Sequence, residues 1–143
     1  MQQALDTRLA RPMFLALLAE GFCRAERIDE GQRAVAEGLM YAEQIAEGGY
    51  VAELYRVGGE LARRAGDTAT AEDLLRRALV RAGGQQARSL ELRAATGLAT
   101  LLAASGRTAE AREVLAPVYA WFTEGFDTAD LVAARTTLDA LGG

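Results

Sequence analysis

The chain has 143 residues, half of them apolar, with a formal net charge of −4 and only two prolines. That length gives one domain, able to bury roughly two thirds of its unfolded surface, and a composition led by Ala and Leu is that of an all-helical protein. The acidic balance argues against a nucleic-acid surface, and the absence of His and Asn removes the commonest general base, transition-metal ligand and near-neutral pH switch.

All sixteen basic residues are Arg, which reads first as genomic base composition and not as phosphate recognition. No apolar run reaches the length of a membrane span, and the N-terminus lacks the basic and apolar regions of a signal peptide. Cys23 is the single cysteine and has no internal disulfide partner. The default expectation is therefore a cytoplasmic chain.

In chain order, Met1 to Arg11 precedes the first periodic segment. Pro12 stands where the first turn of a helix tolerates it, and helix one is predicted from there to Ala25. Asp29 is the expected cap of a second helix reaching about Glu47, and Gly48-Gly49 breaks the chain. The next unit is the clearest. Leu54, Gly58, Leu61, Ala62 and Ala65 mark one face of a helix. Gly66 ends it, since glycine takes the left-handed conformation at little cost. Asp67 and Thr68 are good cap residues, with Glu72 and Asp73 adding negative charge to the first turns. Ala71, Leu74, Leu75, Ala78 and Leu79 form the stripe of the following helix. Gly59 and Ala71 are small where two helix backbones need to approach closely.

After Gly83-Gly84 the segment QQARS leads to a third unit, with Ser89 as the expected cap and Leu92, Leu98 and Leu102 pointing inward. Thr108 is expected to cap a sixth helix running on through Tyr119, Trp121, Phe122 and Phe126. Asp127 to Asp130 reads as another helix start. Leu131 to Leu141 then forms a closing helix, polar at Arg135, Thr136 and Asp139.

A shift of forty residues, the distance from Gly66 to Gly106, carries one unit onto the next. The stripe at Ala71, Leu74, Leu75, Ala78 and Leu79 becomes Ala111, Val114, Leu115, Val118 and Tyr119, and in the other direction Gly31, Ala34, Val35, Gly38 and Leu39. Internal repetition outranks any local reading. The pattern resembles the tetratricopeptide repeat: an apolar residue opening the first helix (Leu15, Tyr55, Ala95), a small one before the turn (Ala19, Gly59, Ala99) and a small one opening the second (Gly31, Ala71, Ala111). The period exceeds the usual length of about 34. The closing proline is missing, and Glu26 stands where the first turn would have glycine.

The resemblance implies a right-handed all-α solenoid of three helix pairs, at about 12–48, 50–84 and 89–126, with a capping helix at 127–141, in one domain spanning 1–143. The segments RPMFLALLAEGFCRAERIDE, AELYRVGGELARRAGD, QQARSLELRAATGLATLL and WFTEGFDTADLVAARTTLDAL are similar to the tetratricopeptide tail of bacterial class III adenylate/guanylate cyclase–AAA ATPase signalling proteins. This implies a regulatory or assembly module that holds a protein or peptide partner. The cyclase and ATPase motifs are absent, so no catalytic residue is carried over, and neither an enzyme nor a cofactor is expected.

In such an array the first helices line a concave groove. Glu20, Arg24, Glu53, Arg56, Glu60, Arg63 and Arg93 are the candidate groove residues, for a peptide or, alternatively, a small effector. The competing reading is i,i+4 pairing on solvated faces, worth a few tenths of a kcal/mol per pair. Cys23 reads as structural, because Arg24 alone is thin support for a reactive thiol. The stretch YAWFTEGF reads as packing between the last unit and its cap. At the other end Met13, Phe14, Leu17 and Leu18 are expected to be only partly covered, so a two-fold homodimer through the first helix pair is expected.

Overall fold

The computed structural model describes residues 2–45, 50–84 and 86–142, with side chains described at 13–42 and throughout the later two stretches. Among these residues the fold is all-α, with no strand. The helices are α1 (Gln2–Arg24), α2 (Ile28–Ile45), α3 (Tyr50–Arg64), α4 (Thr68–Gly84), α5 (Arg88–Ala104), α6 (Thr108–Ala120) and α7 (Ala129–Gly142). No described helix is long and apolar enough to cross a membrane.

Four of the turns share one backbone plan. Glu26, Gly66, Gln86 and Gly106 all take positive φ, between 55° and 86°. In each turn the next residue's N–H reaches back five residues: Arg27 to Phe22, Asp67 to Ala62, Ala87 to Ala82 and Arg107 to Leu102, at 2.8–2.9 Å. These bonds satisfy carbonyls that the helix end would orphan. Glu26 thus adopts the conformation that glycine takes in the later turns. A non-glycine residue there costs of order 1–2 kcal/mol, while glycine adds unfolded-state entropy worth about 0.4–1 kcal/mol. Glu26→Gly is therefore expected to raise the melting temperature by a few degrees, as a thermal scan would read. The Glu26–Arg64 pair it removes, 3.5 Å long on a glutamate 79% exposed, is worth little.

Each helix packs on the next, and the odd-numbered helices also pack on one another, α1 on α3, α3 on α5 and α5 on α7. No two even-numbered helices pack together among the described residues. The odd helices thus form one layer and the even helices flank it. Leu75, Leu92, Leu98, Leu102 and Leu115 are the bulk of the core that joins α3 to α7. Leu15, Ala19, Cys23, Val35, Val57 and Leu61 join α1, α2 and α3. Glycines set the close approaches between helices. A Cβ on Gly31, Gly38 or Gly59 would lie 2.7 Å from Leu61, Leu54 or Leu75 respectively.

Several boundaries differ from the sequence expectation. α1 starts at Gln2 and runs through Pro12. The segment QQALDTRLAR consists of good helix formers apart from Asp6 and Thr7, and proline's preference for a first turn does not oblige a helix to begin there. Ser89 and Thr108 are not caps: α5 and α6 follow Ala87 and Arg107, and neither makes a side-chain capping bond. Asp29 likewise lies inside α2, in its first turn. The left-handed turns start these helices one or two residues earlier than the expected side-chain caps would. Asp67 does cap, accepting from the Thr70 N–H at 3.1 Å. α6 stops at Ala120, so Trp121, Phe122 and Phe126 belong to a connection and not to a helix. Gly125 there has φ of 76°, a left-handed turn. The expected break at Gly48-Gly49 and helix end at Glu47 lie outside the described residues.

Candidate functional site

Every odd helix contributes to one concavity of about 670 Å³. Five of the seven residues read from sequence as groove residues line it, namely Glu20, Arg24, Glu53, Arg56 and Arg93. Met13 and Leu17, read as a self-association surface, line it too, together with Tyr50, Leu90, Thr96, Asp130 and Ala133. Glu60 and Arg63 are not among its lining residues. They pair with each other, and Glu60 also accepts from Arg64 at 3.3 Å. Phe14 is not a lining residue either and is 56% exposed.

The charged floor is a continuous ladder. Arg24 donates to Glu20 at 3.5 Å. Arg56 donates from Nη2 to Glu20 at 3.0 Å and from Nε to Glu53 at 2.6 Å. Arg93 donates from Nη1 to Glu53 at 3.2 Å and from Nε to Asp130 at 2.9 Å. Three guanidiniums and three carboxylates thereby tie α1, α3, α5 and α7 together with no net charge. Only two of its five steps, Arg24–Glu20 on α1 and Arg56–Glu53 on α3, lie within one helix. The others bridge helices, so the array is more than i,i+4 pairing on solvated faces.

Arg56 is the centre of this ladder, with a side chain 17% exposed beside Glu53 at 15%. Burial works against its charge. Hydrogen bonds to Glu53 and the nearby charges of Glu53 and Glu20 outweigh that and hold the guanidinium protonated. For Arg93 burial is again the largest single effect and again loses, to the hydrogen bond and charge of Asp130.

Asp130, Tyr50 and Leu90 were not read from the sequence as groove residues. The signal was present for all three, because they occupy one position at successive shifts of forty residues. Glu53 and Arg93 are likewise forty residues apart, so stacking the units brings opposite charges together.

Among the described residues that line the site, no nucleophile is paired with a base. The Thr96 hydroxyl donates to its own helix at Leu92 O, 2.8 Å away. No described cluster of carboxylates or cysteine has the makings of a metal site. Cys23 is 3% exposed, and burial pushes its thiol up, against the lowering effect of Arg64. The arrangement offers apolar walls above a self-neutralised polar floor, with Arg24, 79% exposed, at one end. No family model, no curated protein and no solved structure matches this chain.

The carboxylates outside the groove set an acid limit on stability. Burial alone would raise Glu60, but hydrogen bonds from Arg63 and Arg64 pull it below the usual range. Hydrogen bonds from Arg107 lower both Glu72 and Glu110. A carboxylate whose pKa is lower in the folded state stabilises the fold above its unfolded value, near 4.3, and that contribution is lost as pH falls. The melting temperature is therefore expected to stay flat from about pH 8 to pH 6, since no His titrates there, and to fall below about pH 4.5. Circular-dichroism melts across this range check it, and a step near pH 6.5 would contradict it.

Proposed function

We propose that the chain is a right-handed tetratricopeptide-like solenoid of three helix pairs, α1–α2, α3–α4 and α5–α6, with α7 as the closing helix. On this reading it is an interaction module that holds a protein or peptide partner in the groove, as a regulatory or assembly part of a bacterial signalling protein. The forty-residue register and the pairwise packing support the solenoid. The similarity to cyclase–ATPase tails supports the signalling setting. The observation that carries the function is the groove itself, which runs across the odd helices with apolar residues along its walls.

The rival reading is a small effector molecule in the same place. Sites for small molecules are concave and mostly apolar, with a few polar groups converging on the ligand. Here the floor guanidiniums and carboxylates are engaged with one another, which favours a partner that lies along the apolar walls. Because the floor is neutral, binding should depend weakly on salt, unlike a phosphate-directed contact.

The test is selection of peptides from a displayed random library on the purified chain. Selected sequences are expected to carry apolar anchors, and Leu90→Glu should weaken their binding roughly tenfold or more, a typical anchor effect. Val80→Glu, on the exposed side of α4, should leave binding unchanged. Failure to select peptides, with a melting temperature raised by a metabolite panel, would favour the effector reading.

A further inference from the structure

The face of α1 made by Phe14, Leu17, Leu18 and Gly21 differs from its equivalents in the later helices. At shifts of forty residues, Phe14 corresponds to Leu54, Ala94 and Ala134, and Gly21 to Leu61, Leu101 and Leu141. Those six are all buried, none more than 9% exposed. They belong to the faces on which α3, α5 and α7 receive α2, α4 and α6. On α1 the same stripe is bare: Phe14 is 56%, Leu17 65% and Leu18 38% exposed. The residue sizes also depart from the internal pattern. Phe14 is larger than any of its counterparts. Gly21 is an empty notch where they have leucine, with nothing within 4 Å of a Cβ placed there.

Knob and notch lie two helical turns apart on one stripe. Two α1 helices related antiparallel by a two-fold axis between Leu17 and Leu18 would set each Phe14 over the partner's Gly21 and each Leu17 beside the partner's Leu18. The stripe is thus complementary to itself, as an isologous interface requires. Head-to-tail stacking is not complementary. The outer face of α7 replaces Ala95 and Ala99, both 0% exposed, with Arg135 and Asp139, which pair at 3.0 Å. Val132 and Phe126 are exposed at that end, but the Arg135–Asp139 pair interrupts any continuous apolar stripe that could receive α1. We propose that a second copy of this chain docks on α1, antiparallel, with Phe14 seated in the Gly21 notch. The inference rests on the repeat register and is independent of what the groove binds.

The test exchanges knob and notch and reads mass by light scattering and self-association by analytical ultracentrifugation. The unmodified chain should have twice the monomer mass. Phe14→Gly and Gly21→Phe should each weaken association by roughly tenfold or more. The double exchange should restore it, because the two-fold pairing presents the same fit with the roles reversed. Unchanged helical content is the check on folding, and the open space at Gly21 makes that the expected result. Leu17→Glu is less informative, since Leu17 also borders the groove. A monomeric wild-type chain overturns the proposal, as does a dimer indifferent to both single changes or a double exchange no better than either. A monomer that instead binds a synthetic peptide of residues 68–84 through this face would assign it to a partner helix resembling α4, and overturn the second copy.

Discussion

Leu75→Ala is expected to lower the unfolding free energy by about 4 kcal/mol, toward the top of the range for a buried leucine. Leu75 is 1% exposed and is held between two glycines. A Cβ on Gly59 of α3 would lie 2.7 Å from its Cγ, and a Cβ on Gly97 of α5 would lie 3.2 Å from its Cδ2. Neither glycine has a side chain that can swing into the space left by truncation, so most of the cavity persists. Against a total stability of about 5–15 kcal/mol, the melting temperature should fall by roughly 12 °C at about 3 °C per kcal/mol. The same geometry gives a sharper check. In the wild-type chain Gly97→Ala must push against Leu75, which offsets its gain in helix propensity of about 1 kcal/mol. In the Leu75→Ala background the new methyl fills the hole, so the change should stabilise. Equal effects in both backgrounds would mean that α4 moves in and closes the cavity.

The part of this architecture legible in the sequence was the part dictated by helix periodicity and by glycine. Ala71 and Ala111 were read as equivalent small contacts, and both are 0% exposed. Gly59 was read as a close approach, and Leu75 sits against it. Helix ends were less legible. Neither Glu26 nor Gln86 is a residue type that favours the left-handed turn it makes; Glu26 is marked only by its register with Gly66 and Gly106, and Gln86 by nothing. The aromatic segment after Tyr119 has helical spacing, yet it leaves the helix and pairs Tyr119 with Phe126 at 5.9 Å. In the groove, stripe position identified Glu53 and Arg56 but not where the concavity ends. Glu60 and Arg63 lie on the same stripe, roughly 6–10 Å further along the axis at 1.5 Å per residue, toward the α3–α4 turn. Asp130 was read as a helix start. Its second role, as partner of Arg93, requires α7 to stack on α5, which no local pattern specifies.

Arg56→Glu is expected to destabilise the fold by about 2–3 kcal/mol. Removing one partner of a fully buried ion pair costs roughly 3–5 kcal/mol. Here partial exposure reduces that, as do Arg93 and Arg24, which remain beside Glu53 and Glu20. Arg63→Glu is the contrasting change. Arg63 is 41% exposed and outside the concavity, so its loss should cost less than about 1 kcal/mol. A binding test that reverses both residues would therefore mix damage to the fold with any effect on a ligand. The pH dependence of the Arg56→Glu variant identifies the cause. Four carboxylates then share one floor with two guanidiniums, Arg24 and Arg93, and uncompensated like charges raise carboxyl pKa values in the folded state. A group whose folded pKa is raised contributes stability below its unfolded value, near 4.3, and loses it as pH rises. The variant's melting temperature should accordingly climb as pH falls from about 8 to about 6, where the wild-type curve is expected to be flat, and adding Glu53→Gln should remove most of that slope. A variant that is destabilised yet runs parallel to the wild type across this range would mean that Arg56 supports the groove through its aliphatic packing and not through the ladder.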